Sequence, residues 1–173
     1  MLAEPKENLK QLKLREDAII ADLGAGAGWY ALAAAAIVPR GKVYALEVQK
    51  DLAEKIKNAA LEEHLLNLES IWGNVEKIGG TKLANESIDV AIAANVMFQL
   101  EDRQTFAKEI NRILKPGGML LIIDWETMLP GGGATFNKAS ALDLFYSMGF
   151  LKDREIDAGT NHYGIIFKKP KKS

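Results

Sequence analysis

The sequence contains no cysteine, which excludes disulfide bonds, thiolate nucleophiles and zinc sites built from cysteine. It also lacks an apolar run of the roughly 20 residues that a membrane-spanning helix needs, because the alanine-rich segment 31–38 is far too short. Residues 1–13 are charged and have no apolar centre, so they do not resemble a signal peptide. We therefore expect no membrane association and a cytoplasmic location.

An excess of charge of either sign is missing as well. The 22 Lys and Arg residues are balanced by 23 Asp and Glu residues, which gives a net charge of −1. Without an overall basic field, nucleic acid is not expected as a partner. A length of 173 residues with 48% hydrophobic content supports one sizeable core but not two. We predict a single domain spanning residues 1–173 and no metal site.

The hydrophobic pattern alternates between strands and helices along the chain. Short apolar runs predict strands, and apolar residues at three-to-four spacing predict helices, with Asp51 and Asp102 expected as N-caps. The predicted strands are 18–21, 42–47, 68–72, 88–94, 119–123 and a closing pair that includes 163–168, and the predicted helices are 31–38, 52–64, 103–114 and 139–148. This order predicts an α/β fold, a doubly wound and mostly parallel seven-stranded Rossmann-like sheet with an antiparallel C-terminal hairpin strand.

A glycine-rich loop follows the first predicted strand. Gly24, Gly26 and Gly28 alternate directly after Asp22, at the point where an open α/β sheet binds nucleotide-like ligands. The dinucleotide fingerprint G-x-G-x-x-G/A fails when it is read from Gly24, because its last position is Trp29. Read from Gly26 it matches, but the first glycine then lies later than the strand end requires. A nicotinamide-dependent enzyme therefore remains an alternative at this point.

Glu47 ends the second predicted strand, about 20 residues after the loop. A carboxylate in this place accepts hydrogen bonds from both hydroxyls of a ribose that lies against the glycines. NAD and S-adenosylmethionine both carry such a ribose, so Glu47 supports a nucleoside site without choosing between them.

The loop resembles motif I of the class I S-adenosylmethionine-dependent methyltransferases, an acidic and an apolar residue followed by Gly-x-Gly-x-Gly. Asp22, Leu23 and the three glycines fill every position. Residues 88–95 resemble the fourth strand of that family, and residues 113–122 resemble its turn into strand five. The resemblance covers about residues 12–168 and is closest to the broad group that contains the ubiquinone and menaquinone C-methyltransferases. It implies S-adenosylmethionine as the cofactor and leaves the methyl acceptor and the methylated atom open.

The resemblance also implies roles for individual residues. Asp22 would orient the amino group of the cofactor, and Asn95 would lie beside its methionine arm. Asn74 stands where the family usually has an acidic residue that reads the adenine amino group. The cofactor-binding residues that we predict are Asp22, Gly24, Ala25, Gly26, Gly28, Tyr30, Glu47, Val48, Asn74, Val75 and Asn95.

The expected reaction is an in-line displacement that carries a methyl group from S-adenosylmethionine to an unidentified acceptor, so positioning supplies much of the rate. A general base is needed only if the acceptor loses a proton. The catalytic residues are unknown, and the candidates for that base are Asp124, His162 and Tyr163. The Asn-Pro-Pro-Tyr motif typical of methyltransferases that act on DNA bases or glutamine is absent after Ala94.

Two alternatives to an autonomous methyltransferase remain. One is a non-catalytic, methyltransferase-like subunit that binds the cofactor and needs a partner, and the other is an NAD(P)-dependent oxidoreductase. Few residues precede the first strand, and the segment 126–137 contains a loop at 130–133 but no evident helical lid. We therefore expect the methyl end of the cofactor to be partly exposed in the isolated monomer, and to be closed by a large acceptor, by a homodimer or partner subunit, or by ordering of the segment 126–137.

Overall fold

A computed structural model describes residues 4–127, 129 and 131–173. Pro130, which the sequence places in a loop, lies outside the described residues, as do residues 1–3. The helices are α1 (Pro5–Lys10), α2 (Trp29–Ile37), α3 (Lys50–Glu62), α4 (Arg103–Ile113) and α5 (Lys138–Ser147), with a 3₁₀ turn at Met97–Gln99. The strands are β1 (Ile19–Leu23), β2 (Lys42–Glu47), β3 (Leu68–Trp72), β4 (Ile88–Ala94), β5 (Leu114–Trp125), β6 (Leu151–Ile156) and β7 (His162–Lys168).

The strands form one seven-stranded sheet in the order β3-β2-β1-β4-β5-β7-β6. Strands β1 to β5 pair in parallel, and β7 runs antiparallel to both β5 and β6. The predicted fold class is confirmed. Because the strand order reverses between β1 and β4, the ends of these two strands border the crevice in which open α/β sheets bind their ligands.

Helices cover both faces of the sheet, which is why the inner strands β1 and β4 are mostly apolar, with Asp22 and Asp89 as their charged residues. On one face, α4 and α5 bury Phe106 and Phe145 against β4, β5 and β7. On the other face, Leu9 of α1 and the alanines of α2 pack over Ile20 and Ile92. Among the described residues, no helix combines the length and apolarity that a membrane span requires.

The segment before β1 folds as the short helix α1, which the sequence pattern did not predict. Leu9 and Leu12 are buried beneath it, and the side-chain amide of Gln11 donates to the carbonyl oxygen of Asp157 at 3.0 Å. These contacts tie α1 both to α2 and to the turn between β6 and β7. The first residues of the described chain are thereby part of the domain rather than a loose extension.

Two local expectations about element boundaries are wrong. Asp51 is not an N-cap, because α3 begins at Lys50 with Gln49 as the cap, and Asp51 lies in the first turn, where its negative charge suits the helix dipole. Asp102 is confirmed as the cap of α4, since its side chain accepts from the backbone N–H of Thr105.

The second wrong expectation is the turn before strand five. This segment lies inside β5, where the register against β4 is interrupted between Ile88 and Val90.

Candidate functional site

In the loop between β1 and α2, two of the three glycines are explained by close packing and the third by open space. A Cβ on Gly24 would lie 2.5 Å from a methyl carbon of Val96, and a Cβ on Gly28 would lie 2.9 Å from Ile56. Packing therefore leaves no room for a side chain at Gly24 or Gly28. A Cβ on Gly26 would meet no atom of the described residues within 4 Å, so this residue presents bare backbone to open space.

Glu47 fixes this loop from the end of β2. Its Oε2 accepts from the backbone N–H of Gly26 at 2.8 Å, and its Oε1 accepts from the backbone N–H of Gln49 at 2.9 Å. The side chain is buried, yet each carboxylate oxygen has a second lone pair. Glu47 therefore holds the loop and keeps the capacity to accept further hydrogen bonds.

A cavity of about 290 Å³ opens at this carboxyl edge of the sheet. It brings together six of the predicted cofactor residues, namely Gly24, Gly26, Glu47, Val48, Asn74 and Val75. It is also lined by residues that the sequence reasoning did not select, namely Leu46, Gln49, Leu52, Glu76, Val96, Gln99 and Leu100. For Gln49 and Val96 the available signal was their position two residues after a strand, since strand ends meet at this edge.

Asn74 lies in this cavity with part of its hydrogen-bonding capacity in use. Its Oδ1 accepts from the backbone N–H of Glu76 at 2.8 Å, which fixes the turn after β3. An amide oxygen has two lone pairs, so one remains for a ligand.

Asp22 lies deeper, at the carboxyl end of β1, and is only 2% exposed. Burial raises the pKa of its carboxyl to about 7, and the charge of Glu47 adds to this, while the backbone N–H of Ala31 favours the ionised form. Its Oδ2 is buried without a hydrogen-bond partner among the described residues. An acceptor in this state fits a ligand that brings a positively charged donor, because an unpaired buried polar atom is costly.

Tyr30 stands in the first turn of α2 and is buried beside α1. Its hydroxyl accepts from the side-chain amide of Asn8 at 2.8 Å. Burial raises the pKa of this hydroxyl to about 12, with the charge of Asp22 acting in the same direction. Asn8, itself 2% exposed, was missed because a lone asparagine in a polar segment carries no sequence signal. Of the other predicted residues outside the cavity, Gly28 caps α2 and Ala25 donates its N–H to Leu46.

Asn95 and His162 meet at the same edge. The backbone of Asn95 has a φ of 55°, and its Oδ1 lies 3.1 Å from Nε2 of His162. The other ring nitrogen of His162 lies 2.9 Å from the carbonyl oxygen of Thr160. The ring also packs on Trp125 with 4.1 Å between ring centroids, which sequence reasoning did not anticipate. The register that pairs Trp125 with His162 sets this arrangement.

Asp124 and Tyr163 are both engaged with neighbouring backbone. The Asp124 carboxylate is fully buried, and its two oxygens accept from the N–H groups of Met97 and Trp125, each at 2.8 Å. Burial raises its pKa to about 6. The Tyr163 hydroxyl donates to the carbonyl oxygen of Phe136 at 2.8 Å, and burial raises its pKa. Of the three candidate bases, His162 is the least buried, since Asp124 and Tyr163 are both buried.

The model of the methyltransferase domain family matches residues 21–122, which is more than half of the chain. The chain belongs to this methyltransferase family. The predicted resemblance to class I S-adenosylmethionine-dependent methyltransferases is confirmed, and so is S-adenosylmethionine as the cofactor that the family implies.

The relatives of this methyltransferase domain differ in their named substrates. The chain is 28% identical over 134 residues to a demethylmenaquinone methyltransferase of Listeria monocytogenes, with 76% of this chain and 55% of that protein covered. It is 31% identical over 121 residues to the arsenite methyltransferase of Homo sapiens, with 66% of this chain and 32% of that protein covered. The chain thus spans about half, or less, of the length of these curated relatives.

Solved structures reproduce the whole fold of the methyltransferase domain. A SAM-dependent methyltransferase from Aquifex aeolicus superimposes with a TM-score of 0.86 at 26% identity, covering 96% of this chain and 90% of that one. The cyclase SpnF superimposes with a TM-score of 0.84 at 14% identity, covering 97% of this chain and 80% of that one. Because a protein described as a cyclase shares it, the fold alone does not establish methyl transfer.

Replacing Asp22 with asparagine is expected to change how the stability of this methyltransferase domain depends on pH. The carboxyl titrates at about 7 when folded, against a usual value of 3.8, so the folded state binds this proton more tightly. Stability of the native chain should therefore fall as pH rises from about 4 to about 7. Asparagine does not titrate. The unfolding free energy of D22N minus that of the native chain should therefore increase by roughly 1 kcal/mol per pH unit across that window.

Urea denaturation of both proteins at several pH values tests this expectation. The comparison is made as a difference between the two proteins, because Asp124 titrates in an overlapping range and contributes equally to both. A difference in stability that does not change between about pH 4 and pH 7 would contradict a buried, unpaired carboxyl at this position.

Proposed function

We propose that this chain binds S-adenosylmethionine at the carboxyl edge of its sheet and transfers the methyl group to an acceptor. The observation that carries the proposal is the placement of bare backbone at Gly26 between two buried carboxylates, Asp22 and Glu47. Asp22 has an oxygen that finds no hydrogen-bond partner among the residues that the structure describes, and Glu47 lines the cavity. A ligand with a nucleoside at one end and a cationic donor at the other fits this arrangement.

The nucleoside would lie in the cavity. Glu47 has free lone pairs for the two ribose hydroxyls, while Val48 and Val75 supply apolar walls for the two faces of the adenine. The remaining lone pair of the Asn74 Oδ1 would accept from the adenine amino group. Gly24, Gly28 and Ala25 would act through the shape of the loop rather than through side chains.

The methyl group would face the edge formed by Asn95, Trp125 and His162. When bound, the cofactor supplies an electrophilic methyl group on a sulfonium. Aromatic faces attract a cation, and an apolar wall suits a charge that disappears during the transfer. We propose that His162 is the residue that touches the acceptor and takes its proton at Nε2 where one must leave, with Nδ1–H donating to the carbonyl oxygen of Thr160 and the acceptor replacing the Asn95 Oδ1 at Nε2.

Asp124 and Tyr163 would serve this step as positioning residues. Asp124 holds the backbone of Met97, and Arg103 donates to the carbonyl oxygens of Met97 and Phe98 from the opposite side. Tyr163 holds the backbone of Phe136. These contacts fix the segments beside the methyl group, and in-line displacement depends on such positioning.

Demethylmenaquinone and arsenite are the acceptors named by two relatives. Arsenite is disfavoured, because a soft centre of this kind is held by thiolates and this chain has no cysteine. A planar aromatic acceptor fits better beside Trp125 and His162.

We further propose that residues 1–173 act as one domain, and that a second copy or a partner subunit closes the site. The cytoplasmic location stays a prediction.

Binding and turnover test the proposal separately. Calorimetry should show that S-adenosylhomocysteine binds and that NADH does not; the reverse result would replace the proposal with an oxidoreductase. Release of S-adenosylhomocysteine is then measured with a panel of aromatic and inorganic acceptors. Binding of S-adenosylhomocysteine without turnover on any acceptor would instead favour the non-catalytic subunit that needs a partner.

A further inference from the structure

A cavity of about 270 Å³ lies at the amino edge of the sheet, opposite the edge that carries the nucleoside cavity. It is lined by the segment before β1, by the beginnings of β4 and β5, and by the chain after β7. None of the described residues that line it also lines the nucleoside cavity. A ligand bound at this edge would therefore be additional to the cofactor and the methyl acceptor, whatever reaction the chain performs.

Positive side chains predominate around this cavity. The described residues that line it include four cations and one carboxylate, namely Lys13, Arg15, Lys115, Lys171 and Asp89. Oδ1 of Asp89 pairs with Nζ of Lys115 at 2.8 Å, and its Oδ2 accepts from the backbone N–H of Ile19 at 2.8 Å. Asp89 thus neutralises Lys115 and joins the beginnings of β1 and β4, but it does not balance the charge of the other three cations.

These three cations keep donors that are available to a ligand. The ammonium groups of Lys13 and Lys171 have neither a hydrogen bond nor an ion pair within the part of the chain that the structure describes. Arg15 pairs with Asp17 through its Nε at 2.9 Å, so its two terminal nitrogens keep their hydrogens for another acceptor. Positive groups gathered around one cavity repel one another, and a bound anion removes that cost. The cavity is therefore suited to an anion with several acceptor oxygens.

The fold itself holds Lys171 beside this cavity. The backbone N–H of Gly117 donates to the carbonyl oxygen of Lys169 at 2.8 Å, and the N–H of Lys169 donates to Gly118 at 2.9 Å. The stem of Lys171 passes over Gly117, since a Cβ there would lie 3.4 Å from its Cγ. Gly117 has a φ of 80°, which glycine adopts readily, and it leaves room for that stem. Pairing of the chain with β5 thus brings this cation to the cavity.

The inner wall of the cavity is apolar. Ala18 and Val90 are buried there, and Leu14 and Met119 are partly buried. An inorganic ion would leave this wall in contact with water, whereas a small apolar body would cover it. The ligand that fits this cavity therefore has an anionic end and an apolar end.

We propose that this cavity binds a small phosphate monoester, whose phosphate contacts Lys13, Arg15 and Lys171 and whose apolar body contacts the inner wall. A phosphate monoester carries close to two negative charges at neutral pH and three acceptor oxygens, which suits three cationic donors better than a carboxylate does. A nucleic acid fits less well, because its affinity comes from many phosphate contacts along a basic surface. Here the cations surround one concave cavity, in a chain whose net charge is −1.

Calorimetry on the native chain tests the ligand chemistry with phenyl phosphate, inorganic phosphate and benzoate. At about pH 8, above the second pKa of about 6 of a phosphate monoester, phenyl phosphate has two charges and an apolar ring. Inorganic phosphate has the charges without the ring, and benzoate has the ring with one charge. Phenyl phosphate should bind at least about fivefold more tightly than either, because only it contacts both the cations and the wall. No binding of phenyl phosphate at millimolar concentration, or equal affinity for all three probes, would overturn the proposal.

Removing the two unpaired ammonium groups tests the site itself. Lys13→Gln/Lys171→Gln changes two exposed side chains and keeps part of each stem, so urea denaturation should show native stability. Lys55→Gln/Lys57→Gln, which removes the same charge from exposed positions of α3, is the matched control. At about 0.1 M salt, where the Debye length is about 10 Å, the affinity for phenyl phosphate should fall about tenfold in the first variant and stay unchanged in the control. An equal fall in both variants, or a fall in neither, would contradict the site.

Two larger phosphate ligands are titrated under the same conditions, a single-stranded oligonucleotide and vesicles that contain phosphatidic acid. Neither should bind as tightly as phenyl phosphate. If either bound more tightly to the native chain and less tightly to Lys13→Gln/Lys171→Gln, the cavity would serve a nucleic acid or a lipid surface, and the assignment of a small ligand would be wrong.

Discussion

Replacing Gly26 with valine is expected to weaken the binding of S-adenosylhomocysteine by at least about a hundredfold, which corresponds to about 2.7 kcal/mol. A Cβ at this position would meet nothing within 4 Å in the part of the chain that the structure describes, so the added side chain would project into the space that the ligand would fill. The φ of 56° also disfavours a β-branched residue and would move the N–H that Glu47 holds. Calorimetry on the folded variant measures the loss.

Gly149→Val is the matched control for this experiment. Gly149 has a φ of 83° and equally open surroundings for a Cβ, but it follows α5, away from the cavity. Both variants should lose comparable stability through backbone strain, roughly 1–2 kcal/mol, and only Gly26→Val should lose the ligand. If the two variants bound S-adenosylhomocysteine equally well, the loop would not contact it.

Three of the parallel strands were predictable from the sequence, although only β2 and β4 are buried along most of their length and β3 is a partly exposed edge strand. Strands β2, β3 and β4 lie where the apolar runs 42–47, 68–72 and 88–94 place them. In a sheet covered by helices on both sides, no alternation is required, and continuous apolar segments mark the strands directly. The carboxyl ends of these strands then locate the site without further information, which is why Glu47 and Asn74 lie in one cavity.

Helix α1 was not predictable in the same way. It has six residues, which is too short to show a periodic pattern or to be stable by itself. Its stability comes from partners distant in sequence, through the bond from Asn8 to Tyr30 and from Gln11 to Asp157. The sequence around α1 does not indicate these distant partners.

The roles of the candidate bases also depend on contacts between distant segments. Sequence position places Asp124 at the end of β5, where a carboxylate faces either the ligand or the interior. The structure turns it inward onto the N–H of Met97, a residue that follows β4. The contact between Trp125 and His162 likewise follows from the antiparallel register of β5 and β7, which composition does not encode.

Replacing Glu47 with alanine is expected to weaken adenosine and S-adenosylhomocysteine by about ten- to a hundredfold. Loss of a charged hydrogen-bonding group costs about 1.5–3 kcal/mol, and the two ribose hydroxyls would lose their acceptor. The same substitution removes the acceptor of the Gly26 and Gln49 N–H groups, so part of the loss could come from a looser loop.

The ligand 2′,3′-dideoxyadenosine distinguishes these two effects, because it lacks both ribose hydroxyls. If Glu47 binds the ribose, Glu47→Ala should weaken adenosine much more than dideoxyadenosine; if Glu47 only shapes the loop, both ligands should weaken alike. Glu69→Ala, on the neighbouring strand β3 and paired with Lys42 at the surface, is the control and should leave both affinities unchanged. Equal weakening of adenosine and dideoxyadenosine by Glu47→Ala would show that Glu47 does not bind the ribose and only supports the glycine loop. Recognition of the nucleoside would then have to come from the cavity walls alone.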